Sequence, residues 1–241
     1  MEKKHFQDIK VVAFDADDTL WDCQSHFDRV TARMGELLLP WCSATESKAE
    51  LFKTESKNLS LSGYGSKAYI LSVIETAIRV SGGDIAASAI GELVELGYGL
   101  MRMPVTPLPE VADTLQRMHN YYKVVFTKGD LLDQEQKLIR SGLAHHFQHL
   151  EITSDKSIRE FLHLCQKLHI QPNELLMVGN SFKSDIAPAL DIGANGIHIP
   201  YSVVWEMEHN EIVDGKTRTF EEFEHPRCVK IQHFSEILDL V

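Results

Sequence analysis

The stretch KVVAFDADDTL at residues 10–20 decides how the rest of this chain is interpreted. Residues 11–14 are four apolar residues in a row, two of them β-branched and one aromatic, which is typical of a short strand buried inside a parallel sheet. Three carboxylates follow within four positions, at Asp15, Asp17 and Asp18. Like charges this close oppose each other's ionisation unless a cation lies among them. The stretch therefore predicts a divalent metal site at the end of a buried strand.

Mg²⁺ suits these acids best, since it binds through one or two carboxylates, keeps several waters and takes further oxygens from a phosphate. A calcium-binding EF-hand loop does not fit. Counted from Asp15, the sixth position is Leu20 instead of Gly and the twelfth is His26 instead of Glu. A solvated acidic turn without chemistry stays open on this stretch alone.

Composition and charge limit the classes of protein to consider. The 241 residues are enough for one sizeable core that carries a smaller inserted domain. The net charge of −11 argues against nucleic acid as a partner, because no basic excess is present to neutralise a phosphate backbone. No apolar run is long enough to span a membrane, and residues 1–6 lack the apolar segment of a signal peptide. We therefore expect a cytoplasmic protein without a membrane partner.

The cysteines are too scattered to indicate a structural site. They form no CxxC pair, so they predict neither a zinc site nor a disulfide framework, and free thiols fit a reducing compartment. The four are Cys23, Cys42, Cys165 and Cys228.

Two regions differ in their hydrophobic pattern. Residues 22–104 have apolar residues at spacings of three and four, broken by Gly and Pro, and predict a helical insert. A Pro-rich passage at residues 103–109 returns the chain to a region where short apolar runs alternate with helical patterns, which indicates a doubly wound parallel sheet. The polar stretch 201–223 is predicted to be irregular, with Trp205 covering the sheet edge. Besides residues 11–14, the predicted strands are 121–126, 149–153, 175–178, 196–200 and an edge strand at 227–231.

Four candidate strands, or the loops directly after them, end in polar residues. In an open parallel sheet ligands bind beyond the carboxyl ends of the strands, so these residues are expected to meet in one site. Alone, Thr127 would be interpreted as a strand end and Lys156 as a solvated helix start. In chain order the set consists of Asp15 with Asp17, Thr127-Lys128-Gly129, Lys156, and Gly179-Asn180 with Asp185.

This ordered set resembles the four motifs of the haloacid dehalogenase superfamily of phosphohydrolases, and the resemblance covers nearly the whole chain. DADDT at residues 15–19 resembles the first motif, DxDx(T/V), and Thr127 resembles the hydroxyl residue of the second. Lys156 resembles the lysine of the third motif. GNSFKSDI at residues 179–186 resembles the acidic fourth motif as it stands in a group of small-molecule phosphatases.

The resemblance implies a domain organisation and an activity. It implies a Rossmann-like α/β core formed by residues 1–21 and 105–241, and a helical cap domain formed by residues 22–104. The implied activity is Mg²⁺-dependent hydrolysis of a small phosphorylated metabolite, a phosphate monoester, by a monomer or homodimer. Tyr64, Lys67 and Tyr69 in the cap are candidates to contact the substrate, and packing explains Tyr69 equally well.

The resemblance also implies a role for each site residue. Asp15 would be the nucleophile that forms an aspartyl-phosphate, and Asp17 would protonate the leaving alcohol and then deprotonate the attacking water. The implied metal ligands are Asp15, the backbone carbonyl of Asp17, Asp185 and Asn180. The implied phosphate-binding residues are Thr127, Lys128, Gly129 and Lys156.

Two positions depart from the superfamily pattern. Asn180 stands where the fourth motif usually has an acid, and Lys128 stands where an asparagine is frequent. Asn180 can still hold a metal-bound water through its amide oxygen, so we expect metal binding to survive. Lys128 can contribute its backbone N–H, its charge, or both.

Other functions stay open. A phosphomutase would share all four motifs and differ in how the cap keeps water from the aspartyl-phosphate. A metal-independent 2-haloacid dehalogenase is disfavoured by Asp17, which that branch lacks. A receiver-type phosphoacceptor is disfavoured because its phosphorylated Asp ends the third strand. A non-catalytic binding protein is disfavoured by the intact Asp15 and Asp17 pair.

Overall fold

The computed structural model describes residues 5–201 and 225–241, together with the backbone of residues 212–213 and 216–217. The contacts within the chain divide it into two compact units. The first consists of Met1–Asp22, Val105–Lys128 and Lys137–Val241, and the second consists of Cys23–Pro104 and Gly129–Gln136. The second unit thus includes residues 129–136, which the sequence placed with the α/β core.

The second unit is helical. Besides the beginning of a helix that starts at Leu131, it contains α1 (Gln24–Leu38), α2 (Ala44–Ser62), α3 (Ser66–Val80) and α4 (Ala87–Met101), which form its core. They pack around one apolar cluster, to which each helix contributes, for example through Met34, Leu51, Val73 and Leu93.

The apolar residues of α3 cover more of its surface than its buried face. Ile70, Val73 and Ala77 are buried, whereas Leu71 is 61% exposed and Ile78 is 45% exposed. The spacing alone could not show this, because a helix that carries apolar residues on more than one side buries only the side that meets other helices.

The first unit is built on a parallel sheet. Its strands are β1 (Val11–Phe14), β2 (Tyr122–Lys128), β3 (His149–Thr153), β4 (Leu175–Gly179), β5 (Asn195–His198) and, after a short antiparallel pair formed by β6 (Ile212–Val213) and β7 (Lys216–Thr217), β8 (Cys228–Lys230). The order is β3-β2-β1-β4-β5-β8, and every neighbouring pair is parallel. The predicted doubly wound α/β fold is confirmed.

Short helices connect the strands of this sheet. A single π turn at Phe182–Ile186 directly precedes one of them. The helices are α5 (Val111–Arg117), α6 (Leu131–Arg140), α7 (Ile158–Lys167), α8 (Ala187–Asp191) and α9 (Ile237–Leu240).

Apolar side chains cover both faces of the sheet. Along β1, Val12 and Phe14 enter one buried cluster, whereas Val11 and Ala13 enter another. A strand that is buried on both faces reads as a continuous apolar run, which is why residues 11–14 show no alternation. Most of residues 201–223, including Trp205, lie outside the described residues. Within the described ranges, no helix is both long and apolar enough to cross a membrane.

Candidate active site

Asp15 lies directly beyond the carboxyl end of β1, which pairs with β2 on one side and β4 on the other. Its backbone N–H donates to the carbonyl oxygen of Val178 at 2.9 Å, so the ladder between the two strands continues through this residue. The carboxylate is held on both oxygens: Oδ1 accepts from Lys156 Nζ, and Oδ2 accepts from Thr19 Oγ1 at 3.1 Å. Asp15 is only 8% exposed, so the site fixes it and leaves little of it open to water.

Lys156 joins Asp15 to a second buried carboxylate. Its Nζ donates to Asp185 Oδ1 at 2.6 Å, and Lys156 and Asp185 are 2% and 1% exposed. Burial alone would lower the pKa of Lys156, but the charges of Asp15 and Asp185 outweigh it and raise that pKa, so the side chain stays an ammonium. Nζ also lies 5.5 Å from the centre of the Phe126 ring, where the negative face of the aromatic system favours a cation.

Burial raises the pKa of Asp185 to about 7, against the opposing effect of Lys156. The carboxylate is positioned locally by the turn that contains it. Oδ2 accepts the backbone N–H of Ser181 at 3.0 Å, and the Asp185 N–H donates to the Ser181 carbonyl at 2.9 Å. A Cβ on Gly179 would lie 2.2 Å from Asp185 Oδ2, so the fourth motif needs a residue without a side chain where β4 ends.

Thr19 connects the first motif to the fourth. Its hydroxyl lies 3.1 Å from Asp15 Oδ2 and 3.1 Å from Asn180 Oδ1, and it accepts the Asn180 backbone N–H at 3.0 Å. Asp15, Lys156, Asp185 and Asn180 are therefore joined in one hydrogen-bonded cluster. From the sequence, Thr19 was identified only as the last residue of the first motif, and no contact was predicted for it.

Thr19→Val is expected to destabilise the fold by about 1–3 kcal/mol, because valine keeps the shape but leaves the Asn180 N–H without the acceptor it now has. Urea unfolding of the two proteins measures this difference. Thr19→Ser is the matched control, since it keeps the hydroxyl and loses only a methyl group. If Ser and Val are equally destabilising, the hydroxyl bridge is not the cause.

Asp17 has a different set of partners from Asp15. Its Oδ1 accepts from Trp21 Nε1 at 2.8 Å, and Lys137 Nζ lies 3.1 Å from Oδ1 and 3.0 Å from Oδ2. Lys137, on α6, is 2% exposed and was not predicted. On this helix apolar residues are exposed while a charged residue is buried: Leu131 and Ile139 are 61% and 62% exposed. The hydrophobic pattern of α6 therefore does not show that Lys137 lies on the buried face.

The second-motif residues lie at the carboxyl end of β2, which includes Thr127 and Lys128. Thr127 is 2% exposed and its hydroxyl donates to the Lys128 carbonyl at 3.3 Å, while Lys128 Nζ donates to Ser184 Oγ at 2.7 Å, in the turn that carries Asp185. Gly129 has φ +143°, a region that side chains disfavour, and it begins the segment that groups with the helical unit.

The three candidates for substrate contact in the helical unit differ in burial and in their partners. Tyr69 is buried, and its hydroxyl contacts Thr31 at 2.7 Å and the Phe27 carbonyl at 3.0 Å, which makes it a core residue of the helical unit. Lys67 pairs with Asp130 at 2.9 Å and is about half exposed. Tyr64 is half-buried in the break between α2 and α3.

His198 is a further residue that the sequence did not indicate. It ends β5, where burial lowers its pKa to about 4, so the ring is neutral near pH 7. Its Nε2 lies 2.9 Å from the Asn180 carbonyl oxygen, which requires the N–H to be on that nitrogen. His198 thus ties the loop of the fourth motif to the next strand.

The donor set suits Mg²⁺. Among the residues that the structure describes, no three His, Cys, Asp or Glu side chains form a group able to enclose a metal. Mg²⁺ does not require one, since it binds through one or two carboxylates and keeps waters for the remaining positions. Here Asp15 and Asp185 both contact the Lys156 ammonium, so the three side chains together are net negative when both acids are ionised. Thr19 also contacts the amide oxygen of Asn180, which adds that oxygen to the cluster. These are the hard oxygen ligands that this cation prefers.

Comparisons with known proteins agree with the fold. Residues 9–193 match the haloacid dehalogenase-like hydrolase family. The chain therefore belongs to the haloacid dehalogenase-like hydrolases. It is similar to a glyceraldehyde 3-phosphate phosphatase of Methanothermobacter thermautotrophicus, with 26% identity over 212 residues that cover 85% of this chain and 91% of that protein.

Solved structures of the family superpose on the chain. A haloacid dehalogenase-like family hydrolase from Xanthomonas campestris has a TM-score of 0.77 and 33% identity, covering 85% of both chains. A 2-haloacid dehalogenase from Pseudomonas syringae pv. Tomato DC3000 has a TM-score of 0.62 and 21% identity, covering 96% of this chain and 97% of that one, and shares the fold.

Proposed function

We propose that this chain is a phosphatase that hydrolyses a small phosphorylated metabolite through an aspartyl-phosphate on Asp15. The observation that carries the proposal is the buried Lys156, which bridges Asp15 and Asp185 beyond the carboxyl ends of adjacent parallel strands. Such a site holds a carboxylate oriented by hydrogen bonds and an ammonium ready to neutralise phosphate. Burial of both groups keeps water from screening them.

Each step is assigned to a residue of this chain. Asp15 attacks phosphorus, the bond from phosphorus to the leaving oxygen breaks, and Asp17 gives that oxygen a proton. Asp17 then takes a proton from the water that attacks the aspartyl-phosphate, which releases phosphate and restores Asp15. Thr127, Lys128, Gly129 and Lys156 bind the phosphoryl oxygens during both steps.

Mg²⁺ would be held by Asp15, the backbone carbonyl of Asp17, Asp185 and Asn180. When bound, it supplies positive charge that offsets the repulsion between the Asp15 carboxylate and the phosphate. The helical unit is proposed to be the cap of the superfamily, and Tyr64 and Lys67 are its candidates for substrate contact.

The substrate class follows from the relatives and from the charge of the chain. The similar archaeal protein is named for a three-carbon phosphorylated aldehyde. With a net charge of −11, this chain repels anions at long range, so a phosphorylated substrate must be held by local cations such as Lys156 and Lys128. We therefore propose a small phosphate monoester, and place triose phosphates first in the panel.

The test is phosphate release from a panel of esters by the purified full chain. The panel contains glyceraldehyde 3-phosphate, glycerol 3-phosphate, hexose phosphates, nucleoside monophosphates, flavin mononucleotide and p-nitrophenyl phosphate, each with a blank lacking protein. Release from at least one ester supports the proposal. Release from none, together with halide release from 2-chloropropionate, would replace the phosphatase by a dehalogenase.

Removal of divalent metal is expected to abolish turnover, and added Mg²⁺ is expected to restore it. Ca²⁺ should restore little, because it is larger and prefers more ligands at longer distances than a two-carboxylate site provides. Turnover is measured after chelation and dialysis against each cation in turn. Full activity in the chelated protein would show that the acids act without a metal.

A further inference from the structure

Lys137 is a buried lysine whose ammonium lies against Asp17, outside the four motifs. We propose that Lys137 is a positioning residue that, with Trp21, holds the Asp17 carboxyl in the orientation from which it serves the leaving oxygen. The inference rests on the proposed function, because it concerns the proton transfer assigned to Asp17.

Lys137 and Trp21 both contact the carboxyl oxygens of Asp17. Lys137 Nζ lies 3.1 Å from Oδ1 and 3.0 Å from Oδ2, and Trp21 Nε1 donates to Oδ1 at 2.8 Å. The two donors come from rigid places, since Trp21 is 0% exposed and Lys137 is 2% exposed. The Asp17 side chain itself is 29% exposed, so part of it stays accessible to solvent while these donors hold it in place.

A second buried lysine shows what an ordinary structural lysine does in this fold. Lys123, near the amino end of β2, is 3% exposed and donates to the Met118 carbonyl at 2.7 Å. It therefore satisfies backbone groups. Lys137 instead contacts both oxygens of a carboxylate in the first motif, 120 residues away in the chain. Burying an ammonium costs free energy, and at Lys137 the pair with Asp17 is among the contacts that offset this cost.

The chemistry shows where this positioning has an effect. In the first step Asp15 bonds to phosphorus, the bond to the leaving oxygen breaks, and that oxygen takes the proton from Asp17. Lys137 then stays paired with the carboxylate that this transfer leaves. An alkoxide needs the proton as it departs, whereas a nitrophenolate departs without one. Misplacing Asp17 therefore slows the release of an alcohol far more than the release of nitrophenol.

The experiment measures kcat/KM of the full-length protein for two esters, p-nitrophenyl phosphate and the alkyl phosphate that the wild type hydrolyses fastest. We expect Lys137→Met to lower kcat/KM about 100-fold for the alkyl ester and less than about 5-fold for the nitrophenyl ester. Lys137→Arg keeps a buried cation and should recover most of the alkyl rate. Trp21→Phe removes the Nε1 contact together with part of a buried ring, and it should show a smaller selective loss on the alkyl ester.

Lys123→Met is the matched control, because it removes a buried lysine that contacts backbone carbonyls. It is expected to lower both rates by the same factor, if at all. Equal losses on the two esters in Lys137→Met, or the same selective loss in Lys123→Met, would overturn the inference. If Lys137→Met does not fold, the inference is tested on Trp21→Phe and Lys137→Arg, by the ratio of the loss on the alkyl ester to the loss on the nitrophenyl ester. A wild type that releases phosphate from neither ester would instead count against the proposed function.

Discussion

Asp15→Asn is expected to lower phosphate release by at least about 10⁴-fold, because an amide cannot form the aspartyl-phosphate. The melting temperature is expected to stay within about 4 °C of the wild type. The reason lies in the charges of the cluster. With Asp15 neutral, the Lys156 ammonium and the Asp185 carboxylate remain as a one-to-one pair at 2.6 Å, and Thr19 can still contact the side chain at residue 15. Phosphate release and thermal unfolding measure the two effects separately.

Asp18→Asn is the matched control for this variant. It also removes one negative charge from the same loop, and asparagine tolerates the positive φ of 62° that Asp18 adopts. We expect Asp18→Asn to keep the rate within about tenfold of the wild type, as an acid outside the chemistry should. Equal losses in the two variants would show that loop charge, and not a nucleophile, underlies the activity.

Gly179→Ala is expected to destabilise the protein by about 2–4 kcal/mol and to abolish most of its activity. The new Cβ would lie 2.2, 2.4 and 2.6 Å from Oδ2, Cγ and Cβ of Asp185. Asp185 would have to move away from Lys156, which breaks a buried ion pair, or β4 would have to shift within a sheet in which β1 and β5 flank it. Urea unfolding gives the stability, and the ester assay gives the activity.

Gly91→Ala separates this effect from the general effect of adding a methyl group to a glycine. Gly91 lies within α4, and nothing lies within 4 Å of the position that its Cβ would take. Alanine there is expected to stabilise the protein by about 0.5–1 kcal/mol, because it favours the helix. If Gly179→Ala unfolds within about 0.5 kcal/mol of the wild type, the close approach of Asp185 does not constrain this position.

The predicted fold was right where the local pattern has only one physical solution. Strands β1 and β4 are buried on both faces and read as unbroken apolar runs, so residues 11–14 and 175–178 could be found without a structure. The predicted convergence of Asp15, Lys156 and Asp185 required one further rule, that the carboxyl ends of parallel strands share an edge. Hydrophobic runs and chain order were sufficient for both.

Helix faces and element boundaries were harder to predict. Leu71 and Ile78 are apolar yet exposed, and Lys137 is charged yet buried, because helix burial depends on the neighbours that the fold supplies. The segment 129–136 follows β2 in the chain but groups with the helices, where Asp133 accepts from Ser66 Oγ at 3.0 Å and Asp130 pairs with Lys67. These contacts join residues more than 60 positions apart in the chain, so no periodic pattern in the sequence indicates them.

By itself, the sequence determined the α/β class and the order of the motif residues, because local apolar runs specify buried strands and parallel strands align their ends. Only the tertiary structure decided which side chains hold Asp15 and Asp17. Lys156 and Thr19 hold Asp15, whereas Lys137 and Trp21 hold Asp17. The physical reason is that a hydrogen bond or ion pair depends on positions and angles in space. Lys137 and Asp17 are 120 residues apart in the chain, so they reach contact distance only in the folded protein.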